Sequence, residues 1–156
     1  MSIHVRELIE MNCIVDELKS KTKREVLYEL SGPVAASLPE EDADAIVEVL
    51  LEREKLGSTG IGEGVAIPHG KLQGLDRLVV SFGRSFDGVD FDALDGKPVS
   101  IFFLLLVPDN SAGRHLKVLA KISRMLKDSD FRKDLMEAGS RERLFSLIAE
   151  KDQACE

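Results

Sequence analysis

Apolar positions recur along this chain at three kinds of spacing, and each kind predicts an element. Residues 99–107, VSIFFLLLV, are almost wholly apolar. The run is far shorter than the roughly 20 residues of a membrane helix, and it reads as a strand covered on both faces. Residues 40–56 show helical spacing instead. Ala43, Ile46, Val47, Leu50 and Leu51 fall on one face, with Glu40, Glu41 and Asp42 in the first turn and Arg53 and Lys55 in the last, as the helix dipole favours. Gly57 is expected to stop that helix. Upstream, Thr22 and Glu25 form a capping-box pattern ahead of Val26, Leu27, Leu30 and Val34. Gly32-Pro33 predicts an end or a kink near Ser31. Residues 111–127 carry a stripe of Val118, Leu119, Ile122, Met125 and Leu126. His115 precedes Val118 and Leu119 by three and four residues and shares their face. Ser129 or Asp130 is expected to cap a helix reaching Ala138, Ser140 to begin a short helix over 143–149, and 153–156 to fray.

Shorter apolar stretches supply the strands. Residues 13–15, 65–67 and 78–82 read this way. A small edge strand is expected at 89–91, between turn signals at Asp87-Gly88 and Asp95-Gly96. Helices interspersed with strands, one of them doubly covered, predict an α/β fold: a single domain with a mixed sheet and helices on both faces. No internal repeat or linker breaks the chain.

Composition narrows the function classes. A length of 156 residues suits one domain, with a radius of gyration of about 15 Å. The balance of 28 acidic against 21 basic residues gives a net charge of −7, which argues against nucleic acid as a partner. A basic protein partner would suit that charge, although acidity also serves solubility. The start, MSIHVRELIE, has no signal-peptide core and no membrane insertion is expected. Cys13 and Cys155 form no metal or redox spacing, so the simple reading is a reduced, cytoplasmic chain, and a disulfide between them has no support.

The chemistry concentrates in residues 57–71, GSTGIGEGVAIPHGK. Five glycines allow close backbone approach, and Pro68 restricts the chain just before His69. The segment is not a Walker loop: five residues separate Gly64 from Gly70-Lys71, and Leu72 replaces the hydroxyl residue. Nor is it a dinucleotide fingerprint, since Val65 stands where a third small residue is needed. The expectation is a rigid, donor-rich turn presenting one imidazole, with His69 as a nucleophile for a phosphoryl group. From spacing alone, a turn histidine that merely hydrogen-bonds its loop is the commoner case. Likewise His115 alone reads as a core histidine, Arg53 as a cation ending a helix, Ser58 and Thr59 as turn residues, and His4 as a surface residue.

The segment STGIGEGVAIPHGK resembles the active-site segment of enzyme IIA of the bacterial phosphotransferase system, fructose/mannitol type, and within it the nitrogen-related branch. Arg53-Glu54-Lys55, Leu106-Val107-Pro108 and His115 extend the resemblance, which runs roughly over 5–149. One departure is Glu63, where asparagine is expected. A carboxylate there, if it pointed inward, would repel a phosphoryl group. The resemblance implies a phosphohistidine carrier accepting phosphate on His69 Nε2 from an HPr-like protein (NPr), with His115 as second active-site histidine. The Arg53 guanidinium is a candidate to steady either the phosphoryl oxygens or an acidic or phosphorylated partner. Ser58, Thr59 and Gly60 are candidate phosphoryl-binding residues. It further implies regulatory output through phosphorylation state, with potassium-transport or sensor-kinase proteins among the family's targets, and no cofactor or metal. The alternatives are a sugar-specific enzyme IIA passing phosphate to a IIB partner and a non-catalytic binding module. A zinc enzyme is disfavoured, because no HxxxH or HxH pair and no cysteine cluster exists.

Overall fold

The computed structural model describes residues 3–38, 41–111 and 113–156. Its centre is the apolar run, strand β6 (Val99–Val107). Alternate side chains of a strand point to opposite faces. Accordingly Ile101, Phe103, Leu105 and Val107 enter one core, and Phe102, Leu104 and Leu106 enter another. Because both faces are covered, the polar alternation of a half-exposed strand is missing. Strand β5 (Val79–Val89) runs antiparallel along one edge of β6, and β1 (Ile9–Val15) lies parallel beyond it. Along the other edge, β3 (Val65–Ala66) and then β4 (His69–Lys71) pair in parallel with β6, and β2 (Gly60–Gly62) is antiparallel to β3. Ile67 and Pro68 form the gap between β3 and β4, where proline has no N–H to give a ladder.

Helices α1 (Lys23–Ala36) and α2 (Ala43–Glu54) cover one face. Helices α3 (Arg114–Leu126), α4 (Ser129–Glu137) and α5 (Arg141–Ala154) cover the other. Each core contains an edge-to-face aromatic pair: Phe82–Phe103 at 5.1 Å and Phe91–Phe102 at 5.4 Å. The mixed sheet with helices on both faces is therefore the observed architecture. Among the described residues no helix is long and apolar enough to cross a membrane.

Several boundaries differ from the pattern-based expectation. Helix α1 does not end at Ser31 but passes Pro33 and stops after Ala36. Val34 is fully buried, and burying such a side chain, worth about 1.5–3 kcal/mol, offsets much of the ~3 kcal/mol a proline costs in a helix. Helix α2 begins at Ala43, capped by the Asp42 carboxylate accepting the Ala45 N–H at 2.7 Å. Glu41 therefore precedes the helix, and Glu40 lies outside the described residues. Asp87-Gly88 is not a turn: β5 continues through it with a shift of register between Arg84 and Val89, and Gly88 takes φ 84°. Val89 thus closes β5, and no separate strand forms at 89–91. The cap of α4 is Asp128, whose carboxylate accepts from Asp130 N and Phe131 N. The expected frayed tail is tied down instead: α5 runs to Ala154, and the Glu156 carboxylate accepts Nη2–H of Arg6 at 3.0 Å. Both cysteines are free thiols.

Candidate active site

Three elements converge on one cleft of about 510 Å³. Helix α2 brings Val49, Arg53 and, just past its end, Leu56; β4 brings His69; the first turns of α3 bring His115, Leu116 and Leu119. The convergence follows from local structure. The apolar face of α2 packs on the sheet, so its C-terminal turn overhangs β4. There Gly70 lets the strand come close, since a Cβ at that position would meet Val49 Cγ1 at 2.5 Å. His69 does not sit in a turn; it opens β4, in register with Leu105 of the central strand.

The imidazole of His69 is half-buried, and its Nδ1 lies 2.8 Å from the Ile67 carbonyl. A carbonyl only accepts, so Nδ1 carries the proton and the neutral ring has its lone pair on Nε2. Burial holds the His69 pKa below its ordinary 6.5, and the nearness of Arg53 and of His115 acts in the same direction. The Ile67 carbonyl and the Glu54 carboxylate oppose them without reversing the shift. The ring is thus kept neutral at pH 7. His115 stands at the start of α3, with its Nδ1 2.9 Å from Ser111 Oγ. Arg53 donates Nη1–H to the Gly57 carbonyl at 2.9 Å, which uses one of five donors of the guanidinium.

Residues 7–151 match the family model described as "Phosphoenolpyruvate-dependent sugar phosphotransferase system, EIIA 2". The chain belongs to this EIIA type-2 family. A nitrogen regulatory protein of Bradyrhizobium diazoefficiens is 41% identical over 145 residues, covering 93% of this chain and 94% of that protein. Its counterpart in Pseudomonas aeruginosa is 43% identical over 129 residues, covering 83% and 84%. The crystal structure of nitrogen regulatory protein IIA-Ntr from Neisseria meningitidis superposes with a TM-score of 0.86 at 37% identity, covering 92% of this chain and 98% of that one.

Within this EIIA chain, His69, His115 and Arg53 come together at the cleft, whereas Ser58, Thr59 and Gly60 do not line it. Ser58 donates its hydroxyl to the Phe91 carbonyl at 3.0 Å and accepts the Gly60 N–H at 3.0 Å. The Thr59 N–H and hydroxyl both go to the Glu54 carboxylate. These groups shape the loop. His4 lies away from the cleft, 2.6 Å from Glu156. Pattern reasoning missed three residues. Glu54 is one; the available signal was a carboxylate in a last helical turn, where cations are favoured. Leu56 and Leu116 are the others: they stand 84% and 61% exposed at the cleft rim, and only the fold shows that they share it.

Proposed function

We propose that this EIIA-family chain is a phosphohistidine carrier of the nitrogen-related phosphotransferase branch. In this reading His69 accepts a phosphoryl group from a phosphohistidine on an HPr-like protein, and the phosphorylation state governs binding to regulatory target proteins in the cytoplasm. One observation carries the reading: the contact of His69 Nδ1 with the Ile67 carbonyl leaves a lone pair on Nε2 of a ring that lines the same cleft as His115 and Arg53. In the reaction, that lone pair forms a bond to phosphorus as the bond from phosphorus to the donor imidazole breaks. The bonding pair returns to the donor nitrogen, and the proton on the other nitrogen of each ring stays in place. Charge spreads over the three equatorial oxygens in the transition state, so placement and hydrogen-bond donors supply the catalysis. His115 Nε2 and the remaining N–H groups of Arg53 are the donors we assign. Leu56 and Leu116 give the rim an apolar character suited to a docking protein.

Incubation with a phosphorylated HPr-like protein tests this. Label is expected on His69 and absent from His69→Ala. Label on His4 or His115 that persists in His69→Ala would overturn the assignment. His115→Ala is expected to slow transfer about a hundredfold, the scale of losing one donor to developing charge. Efficient onward transfer to a fructose- or mannitol-type IIB protein would place the chain in the sugar branch instead.

A further inference from the structure

The loop ahead of the cleft is tied to a carboxylate that phosphoryl chemistry does not itself require. Glu54 ends α2 and is 7% exposed. Both its burial and its place at a helix C-terminus disfavour an anion. Thr59 compensates, donating its N–H to the two carboxylate oxygens at 3.2 and 3.3 Å and its hydroxyl to Oε2. Lys23 Nζ, 3.0 Å from Oε1, adds an opposite charge. The bonding then continues towards the cleft. The Thr59 carbonyl accepts the Ile67 N–H at 3.0 Å, and the Ile67 carbonyl accepts Nδ1–H of His69 at 2.8 Å. A buried carboxylate and the cleft imidazole are the two ends of one series of hydrogen bonds, with two residues between them.

We propose that Glu54 is a positioning residue for His69, setting the tautomer and aim of the imidazole through Thr59 and Ile67. The inference rests on His69 as phosphoryl acceptor and extends it to the residue that aims the ring. It also accounts for the Thr59 hydroxyl, which is committed to Glu54 and not to the cleft. The bonds run in one sense. Lone pairs on Glu54 receive both Thr59 donors, which fixes the direction of the Thr59 carbonyl. That carbonyl holds Ile67, and the Ile67 carbonyl admits only the Nδ1–H form of the ring. Pro68 follows immediately, and its restricted backbone passes the placement of Ile67 on to His69.

Two variants separate aim from charge. Glu54→Gln keeps an acceptor for the Thr59 N–H and removes the charge; Thr59→Val keeps the charge and removes the hydroxyl donor. Nitrogen NMR of the His69 ring reads tautomer and titration, and steady-state transfer from a phosphorylated HPr-like protein reads kcat and KM. Glu54→Gln is expected to lower the His69 pKa, to mix the two tautomers, and to cut kcat at least tenfold with KM changed less than twofold. Even at an unperturbed pKa of ~6.5 about three quarters of the ring is neutral at pH 7, so loss of the charge alone raises acceptance by no more than a factor of about 1.3. A tenfold loss therefore reports misplacement. Thr59→Val is expected to give a smaller loss of kcat with the same mixing, and Glu54→Asp to restore part of it. Unchanged tautomer and kcat in folded Glu54→Gln and Thr59→Val would overturn the proposal, as would a loss confined to KM. Should Glu54→Gln fail to fold, Thr59→Val decides alone by the same two readouts. If the wild-type chain takes no phosphoryl group, the carrier reading fails, while the tautomer populations still decide the role of Glu54.

Discussion

At the scale of single residues, Glu63 holds a backbone conformation that most side chains avoid. Its φ is 58°, and Gly64 follows at 74°. The pair joins β2 to β3, and two positive φ values in succession are what a type I′ hairpin turn requires, where Asn-Gly is the favoured sequence. Turn geometry thus supplies a physical reason for the asparagine that the family resemblance led us to expect there. The Glu63 side chain is exposed, lies 3.6 Å from Arg132 and does not line the His69 cleft, so its charge is not presented to a phosphoryl group. Glu63→Asn is expected to raise stability by about 1 kcal/mol, since the exposed ion pair it gives up is worth little. Denaturant unfolding measures this, and a midpoint at or below the wild-type value would contradict it. Phosphoryl acceptance is expected to stay unchanged.

At the scale of elements, the cleft depends on how closely β4 approaches α2. Gly70 sets that distance, because an added Cβ would come within 2.5 Å of Val49 Cγ1. Gly70→Ala is expected to push strand and helix apart, with a loss of about 1–3 kcal/mol typical of overpacking and slower phosphoryl acceptance by His69. Val49→Ala in the same chain makes room for the methyl group and is expected to recover most of the rate. Failure of the double variant to recover would show that the contact does not set the geometry. The elements themselves were legible to different degrees. The nine residues of β6 and the body of α2 follow from local periodicity. The continuation of α1 past Pro33 does not, because it depends on burying Val34 in a core built largely from other segments. The same holds for β5 at Asp87-Gly88, where pairing with β6 resumes at Val89 and overrides a local turn preference.

At the scale of the whole molecule, the two ends of the chain brace the helix that carries His115. Asp152 on α5 accepts from Arg6 N and Arg6 Nη1 at 3.0 and 2.9 Å, and Lys121 of α3 lies 2.6 Å from its other oxygen. Lys121 also donates to the Ile3 carbonyl at 2.7 Å. Burial pushes the Asp152 carboxyl up, but the Arg6 N–H and Lys121 outweigh it, and the net pKa lies below the ordinary 3.8. A depressed carboxylate contributes stability above its unfolded pKa, and that contribution is lost as pH falls through the lower folded value. Asp152→Asn leaves Lys121 without its anion and is expected to cost about 3 kcal/mol at pH 7, as for other broken buried pairs. The gap between variant and wild type is expected to narrow below pH ~4. Urea unfolding at pH 7 and pH 3 checks both parts, and equal stability at pH 7 would contradict the bracing role.

The order of residues was enough to determine the class of fold, the buried strand, the main helices and the segment bearing His69, because periodicity and turn chemistry act over a few neighbouring positions. Three-dimensional packing alone decided that His115 and Arg53 share a cleft with His69, that Thr59 serves Glu54 instead of lining that cleft, and that Glu156 pairs with Arg6 at the other end of the chain. Each of these depends on which distant groups are buried together. A buried polar atom must find its partner in space, and that partner bears no fixed distance along the chain.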